Sequence, residues 1–432
     1  MDLMINKASA LSGKARVPGD KSISHRALIL GAIAEGETHI SGFLPSVDCL
    51  STLNCLLLLG VKIERLSSTE LVIKGVGLRG LKEAKNVLDL GNSGTTMRIM
   101  SGMLAGQNFS STLTGDDSLK RRPMGRVIKP LRLMGANICA EDEGDRAPIK
   151  ITGQPLKGII YKTPVPSAQV KSCVLLAGLL ANGKTCVIEE IKSRDHTERL
   201  LKHMGVDIEI SGNEVCVRGG SRPKAVKIEI PGDFSSASFL IVAAILTEKS
   251  DIIIKDVGIN ATRTGLLSVL TEMGANINIL NEKTIYEEPR ADIWVKSSKL
   301  KALTVGGELI PRLVDELPIF AVAATQASGT TIVKDAKELR IKETDRIRAI
   351  CSELRKLGAE IDEFEDGFAI HGPCKLKGNI CSSFGDHRMA MALAVAGMCA
   401  EGATIIKDSE CIEVSFPGFE EILKSLVKGK NT

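Results

Sequence analysis

The stretch Pro18-Gly19-Asp20-Lys21-Ser22-Ile23-Ser24-His25-Arg26 places two cations and two hydroxyls ahead of an apolar run, ALILGAIAEG. A helix start carries unpaired backbone N–H groups and the positive end of the helix dipole, which suit an anion. Asp20 or Ser22 is a natural N-cap, with the helix reading on from Ser22. On this stretch alone, a capped helix with solvated Lys21 and Arg26 fits as well as an anion site. The arrangement recurs, however. Gly91-Asn92-Ser93-Gly94-Thr95-Thr96-Met97-Arg98 is a hydroxyl-rich turn opening another apolar helix, and glycine there lets a ligand approach the backbone. Ser167, Ala168 and Gln169 open a third, and Lys120-Arg121-Arg122-Pro123 sets three cations before a fourth.

The C-terminal half adds acids to the bases. Arg312-Leu313-Val314-Asp315-Glu316-Leu317-Pro318 leads into IFAVAATQA, and Asp386-His387-Arg388 leads into MAMALAVAG. Arg340-Ile341-Lys342-Glu343-Thr344-Asp345-Arg346 carries five charges in seven residues and reads as a helix start. That reading puts Lys342 and Arg346, spaced i, i+4, on one helical face. Helices apolar on nearly all sides are buried, so charges at their heads are costly unless they serve a ligand. Together these starts describe a site for a multiply anionic small molecule, with Asp and Glu available for acid–base work. No HExxH or paired Cys/His cluster points to a metal, and no GxSxG elbow or assignable cysteine points to covalent catalysis. His196 and His387 read as packing or hydrogen-bonded histidines.

The elements that carry these starts repeat. LLLLGVKI, LRLMGANI, LKHMGVDI, LTEMGANI and LRKLGAEI each end a helix in a turn glycine and run into a strand; the glycines are Gly60, Gly135, Gly205, Gly274 and Gly358. A less regular sixth ending, KSLVKG, holds Gly429. The turns recur roughly every 70 to 85 residues, too long for an ordinary solenoid repeat and better suited to a closed two-lobed assembly. A second helix–turn–strand signal accompanies them at GETHI, GKTCVI, GTTIV and GATII. Pro231-Gly232-Asp233-Phe234-Ser235-Ser236 echoes the first stretch without its cations, which marks both as crossovers. The division expected is 19–231 for one lobe, and 1–18 with 232–432 for the other.

Composition narrows the function classes. A chain of 432 residues exceeds one ordinary core, and 44% hydrophobic with 25% charged residues is globular. Aromatics at 3% and a net charge of +4 leave no stacking platform or basic field for nucleic acid. Eleven cysteines, an odd number without CxxC, are expected as free thiols in a reducing cytoplasm. The first residues lack a signal-peptide core, and runs such as LIVAAIL are too short to span a membrane. One motif must be cleared: Gly178 to Thr185 spells the nucleotide-binding pattern GxxxxGK(S/T). That motif needs a strand before it and a helix after it, whereas here a helix precedes and a strand follows.

PGDKSISHRA, GNSGTTMR, KRRPMGRV, PSAQVKS, SRDHTER, RLVDELP, RIKETDR and GDHRMAMALAVAG together resemble the EPSP synthase family (5-enolpyruvylshikimate-3-phosphate synthase) over roughly residues 14–420. The resemblance implies an inside-out α/β barrel of two lobes with three repeated units each. It implies transfer of the enolpyruvyl group of phosphoenolpyruvate to the 5-hydroxyl of shikimate 3-phosphate, releasing phosphate through a non-covalent tetrahedral intermediate. No cofactor or metal is implied, and a cytoplasmic monomer that closes on its substrates is expected. The related UDP-N-acetylglucosamine enolpyruvyl transferases would instead carry a loop cysteine and another N-terminal lysine motif.

Position by position, the resemblance gives Lys21, Ser22, Arg26, Ser167, Ala168, Gln169, Arg194, Asp315 and Lys342 to shikimate 3-phosphate. It gives Lys21, Asn92, Gly94, Arg122, Gln169, Arg346 and Arg388 to phosphoenolpyruvate. Asp315 becomes the acceptor of the hydroxyl proton, and Glu343 with Lys21 handles the proton at the methylene carbon. One departure stands out. Part of the family has a lysine before the Ser/Thr-Phe-Pro turn, where this chain has Val414 before Ser415-Phe416-Pro417.

Overall fold

Among the described residues, six apolar helices sit inside two bodies whose sheets face outward, and that placement follows from their sequences. The Phe234–Leu246 and Leu317–Thr325 segments are apolar on nearly every side, so only a position surrounded by other elements satisfies them. The computed structural model describes residues 1–141 and 144–427; the sixth turn glycine, Gly429, lies outside them. The chain divides into one unit of Gly19–Ile230 with Ile285–Glu288, and another of Met1–Pro18, Pro231–Thr284 and Pro289–Thr432.

In the Gly19–Ile230 unit three four-stranded sheets share one pattern. Strand Glu35–Ser41 pairs in parallel with Lys227–Glu229 and antiparallel with Leu71–Val76, which pairs antiparallel with Lys62–Arg65. The Ser110–Thr114 and Lys184–Ile188 strands repeat it with their neighbours. Each sheet lays its apolar face on a buried helix, Lys21–Ala32, Gly94–Ala105 or Ala168–Leu180. The last two pack closely: a Cβ on Gly102 would stand 2.0 Å from the Cys173 carbonyl oxygen, so only glycine admits this approach.

The other unit holds two four-stranded sheets, centred on Asp251–Gly258 with Glu288–Lys296 and on Gly329–Val333 with Gly367–Gly372, and a three-stranded sheet around Thr404–Lys407. Its buried helices are Phe234–Leu246, Leu317–Thr325 and His387–Cys399. The expected turns recur here and in the first unit. Gly60, Gly135, Gly205, Gly274 and Gly358 all adopt positive φ, between +75° and +95°, and each stops a surface helix before a strand.

Three local expectations are corrected. The first helix begins at Lys21, and its cap is Asp20, whose Oδ1 accepts the Ile23 N–H at 2.9 Å. Lys342 and Arg346 do not share a helical face. The Lys337–Ile341 turn is a 3-10 helix, Lys342 is extended, and Asp345 starts a new helix at Arg346 by accepting the Arg348 N–H at 3.1 Å. An Asx cap resets the helix at its own position, so the i, i+4 count runs across a break. Third, the cysteines are not all free. Cys186 and Cys216 face one another across antiparallel strands with Cα atoms 4.1 Å apart and form a disulfide. That register joins residues 30 apart in sequence, which no spacing rule reports.

Gly178–Thr185 runs from helix into strand, as the Ala168–Leu180 helix and the Lys184–Ile188 strand show, and Lys184 pairs at the surface with Glu209. A phosphate-cradling loop needs the opposite order, so no P-loop is present there. Among the described residues, no helix is long and apolar enough to cross a membrane.

Candidate active site

In the Gly19–Ile230 unit, the starts of the three buried helices are stitched together by hydroxyls. Thr52 Oγ1 lies 2.7 Å from His25 Nδ1 and 2.6 Å from Thr96 Oγ1, which lies 2.6 Å from Ser93 Oγ. His25 is fully buried, and desolvation, with Lys21 and Arg26 adding to it, holds its pKa well below the ordinary value. It is therefore a neutral packing histidine. Cys49 below it is pushed up to about 12 by burial and is no nucleophile.

Around these starts stand the cations. Lys21 Nζ is 2.5 Å from Asp48 Oδ2, in the first turn of the neighbouring Val47–Leu58 helix. Arg26 is buried, and its guanidinium donates to Ser22 O, Thr197 Oγ1, Ser172 Oγ and Ala168 O. Arg26 thus ties its own helix to the Ala168–Leu180 and His196–His203 helices. Arg194 Nη1 reaches Ser22 Oγ at 3.3 Å. Arg122 donates to Asn92 Oδ1 at 2.5 Å, and Asn92 Nδ2 donates to Asp116. Gly94 lies under two guanidiniums: a Cβ there would come within 3.1 Å of Arg98 Nη1 and 3.4 Å of Arg122 Nη1. Arg98 also donates to Gln169 Oε1 at 2.7 Å, while Gln169 Nε2 donates to Thr95 Oγ1. Ser167 caps its helix by accepting the Val170 N–H. The ten residues expected from this half therefore form one linked set.

The second set lies in the other unit, about Arg346. This buried guanidinium meets Asp386 Oδ2 at 2.7 Å, Glu343 Oε2 at 2.6 Å and Asp315 Oδ1 at 3.6 Å. Arg388 donates to the Asp315 carbonyl at 3.1 Å and stands 3.5 Å from its carboxylate. Asp386 caps the His387–Cys399 helix through the Arg388 N–H, so one fully buried carboxylate holds both arginines in place. The Asp386 and Glu343 charges raise the pKa of Arg346 further, against the pull of burial. Burial lowers the pKa of Lys342, with Arg346 acting in the same direction and Asp315 against it. All five expected residues of this half, Asp315, Lys342, Glu343, Arg346 and Arg388, belong to this set.

The echo Pro231-Gly232-Asp233-Phe234-Ser235 caps a helix too: Asp233 accepts the Ser235 N–H at 2.7 Å. Its cation comes from elsewhere, since Arg263 contacts both Asp233 and Ser235. His196 bonds Glu288 at 2.7 Å and His387 is buried. Val414 ends a 3-10 turn and supplies no cation. Sequence reasoning passed over Arg98, Asp48 and Asp386 as individual residues. Arg98 was signalled only by lying one helical turn after Gly94, and Asp386 only by its cap position. Cys186, Glu214 and Cys216 bring potential ligand atoms within 4.8 Å of one another, but the two sulfurs are bonded to each other and not thiolates.

Comparison with known proteins agrees in sequence and in fold. The family model for EPSP synthase (3-phosphoshikimate 1-carboxyvinyltransferase) matches residues 5–423. The 3-phosphoshikimate 1-carboxyvinyltransferase of Desulforamulus reducens is 51% identical over 427 residues, 99% of this chain and 100% of that protein. Its counterpart in Petrotoga mobilis is 53% identical, with 99% of each chain covered. The EPSP synthase structure from Acinetobacter baumannii superposes with a TM-score of 0.89 at 44% identity, covering 99% of this chain and 98% of the other. The enolpyruvyl transferase NikO from Streptomyces tendae, at 16% identity and a TM-score of 0.81, shares the fold. A match of this extent, on a chain whose helix starts carry the family's motifs, places it: the protein belongs to the EPSP synthase family, the 3-phosphoshikimate 1-carboxyvinyltransferases.

Proposed function

We propose a division of labour among these residues in the reaction this chain carries out, transfer of the enolpyruvyl group of phosphoenolpyruvate to shikimate 3-phosphate. The set formed by Lys21, Ser22, Arg26, Ser167, Ala168, Gln169 and Arg194 takes the phosphate and hydroxyls of shikimate 3-phosphate, with Lys342 adding a cation. Asn92, Gly94 and Arg122 take phosphoenolpyruvate, as do Arg346 and Arg388, with Lys21 and Gln169 reaching both substrates. Arginine suits this task because its planar fork matches carboxylate and phosphate oxygens two at a time.

A proton delivered to the methylene carbon of phosphoenolpyruvate, by Glu343 with Lys21, leaves C2 electron-poor. The 5-hydroxyl attacks C2 as Asp315 accepts its proton, giving a tetrahedral intermediate. Loss of a methyl proton and departure of phosphate then restore the double bond. Both substrates react directly, so the protein supplies positioning and charge and no covalent intermediate. The observation that carries this reading is the Arg346 cluster. One buried guanidinium holds two largely buried carboxylates, Asp315 and Glu343, and a second arginine, Arg388, backs one of them. We read the six sheet-and-helix groups as six copies of one unit, three in each half of the chain. This is the inside-out barrel of the enolpyruvyl transferases, with crossovers at Pro18-Gly19 and Pro231-Gly232.

The test is phosphate release. It is expected only when phosphoenolpyruvate and shikimate 3-phosphate are both present, without nucleotide, and to fall about a hundredfold or more in Lys21→Met. Folded wild-type protein that releases none would refute the reading. A pH profile tests Lys342. Because burial lowers its pKa, its charge is lost at a pH below the ordinary lysine value of 10.5. The alkaline limb of kcat/KM for shikimate 3-phosphate should therefore begin below 10.5 and move upward in Lys342→Arg. An unmoved limb would remove Lys342 from that role.

A further inference from the structure

Behind the Ser167–Gln169 helix start lies a charged group that the reaction itself does not use. Lys171, one turn into the Ala168–Leu180 helix, is completely buried. Its Nζ stands 2.7 Å from Glu189 Oε2 and 2.7 Å from Glu198 Oε1. Both carboxylates are buried as well. Burying three charges is expensive, and an ion pair placed in a core is weak evidence of a gain in stability. An apolar trio would hold this helix at least as well. The ammonium therefore calls for another explanation, and its remaining contacts supply one.

Glu189 follows the Lys184–Ile188 strand, and Glu198 sits in the first turn of the His196–His203 helix. The loop between those elements carries Arg194. Lys171 grips that loop in three ways. It pairs with Glu189 at the loop's start and with Glu198 just past its end, and it donates to the Ser193 carbonyl at 3.4 Å. Glu189 closes the grip by accepting the Ser193 N–H at 3.2 Å. Ser193, held on both its backbone groups, immediately precedes Arg194, whose guanidinium reaches Ser22. A single ammonium thus sets the loop that bears Arg194 against the helix that bears Ser167, Ala168 and Gln169. Desolvation raises the pKa of Glu198 while Lys171 opposes it.

We infer that Lys171, acting through Glu189 and Glu198, is a positioning residue that fixes Arg194 beside the Ser167–Gln169 helix start for recognition of the phosphorylated substrate. This rests on the reading of Arg194 as a shikimate 3-phosphate contact. Lys171 touches no substrate itself. Its influence should appear in the affinity for one substrate and leave the chemical step alone.

Steady-state kinetics on the full chain provides the test. Lys171→Met alone would strand two buried carboxylates, so it is combined with Glu189→Gln and Glu198→Gln, which leaves a neutral core that can fold. The folded triple variant should show KM for shikimate 3-phosphate raised roughly ten- to a hundredfold, with KM for phosphoenolpyruvate and kcat changed less than about threefold. Lys171→Arg should recover part of the loss. Arg194→Met in the wild-type background should raise the same KM, and adding it to the triple variant should raise it little further. Should the triple variant fail to fold, Glu189→Gln alone is measured, with the same split in smaller size. An unchanged KM for shikimate 3-phosphate, an additive effect of Arg194→Met, or an equal fall in all parameters would overturn the proposal. If Arg194→Met alone leaves that KM unchanged, the assignment of Arg194 falls, and the proposal falls with it.

Discussion

Replacing Asp315 by Asn is expected to lower kcat by roughly a hundred- to ten-thousandfold, the usual contribution of a positioned acid or base, with a much smaller change in either KM. Asn keeps the shape of the side chain and one acceptor for Arg346 or Arg388, so the loss reports proton acceptance more than geometry. Glu343→Gln should lower kcat on the same scale. The two carboxylates share one guanidinium, at 3.6 Å for Asp315 and 2.6 Å for Glu343. Steady-state kinetics on both variants checks both losses. A loss below about tenfold for Asp315→Asn would take the hydroxyl proton away from Asp315.

Arg346→Met should have the largest effect on stability, about 3–5 kcal/mol, since it removes the cation that three carboxylates share. Asp386 is fully buried and Arg346 nearly so, and Glu343 and Asp315 are only partly exposed, so solvent cannot replace the lost charge at Asp386. The melting transition should fall by roughly 10 °C. Arg346→Lys keeps the charge but lacks the planar fork that reaches three acids at once, so it should fall between the two. Thermal unfolding of the three proteins provides the measurement. If Arg346→Met melts within about 2 °C of wild type, the cluster is not held by that guanidinium.

The two sets of residues differ in how they acquire their electrostatics. In the Gly19–Ile230 unit, positive groups gather at three helix starts whose dipoles add to them, an arrangement ready for an anion. In the other unit, acids and bases are already paired around Arg346. Under the roles proposed for these residues, a substrate anion competes with carboxylates for the arginines, and that competition would couple binding at Arg346 and Arg388 to the freedom of Asp315 and Glu343 to carry protons.

Much of this was legible in the chain because its causes are local. A capping Asp or Ser acts within three residues, a turn glycine within one, and an all-apolar helix declares its own burial. The helix starts at Gly94 and Ala168, the positive φ at Gly60, Gly135, Gly205, Gly274 and Gly358, and the helix-then-strand order that removed the P-loop all follow from neighbours in sequence. The failure at Lys342 and Arg346 was also local: a cap at Asp345 broke a helix that charge spacing alone had run through.

The partners were decided by the tertiary structure. Arg26 finds Thr197 across 171 residues, and Arg346 finds Asp386 across 40. Lys21 finds Asp48, Cys186 finds Cys216, and Lys171 finds Glu189 and Glu198. Residue types along the chain determined that charges would stand at helix starts and that the ligand would be an anion. Only folding decided which charges neutralise one another, because a Coulomb contact depends on distance in space and not on separation along the chain.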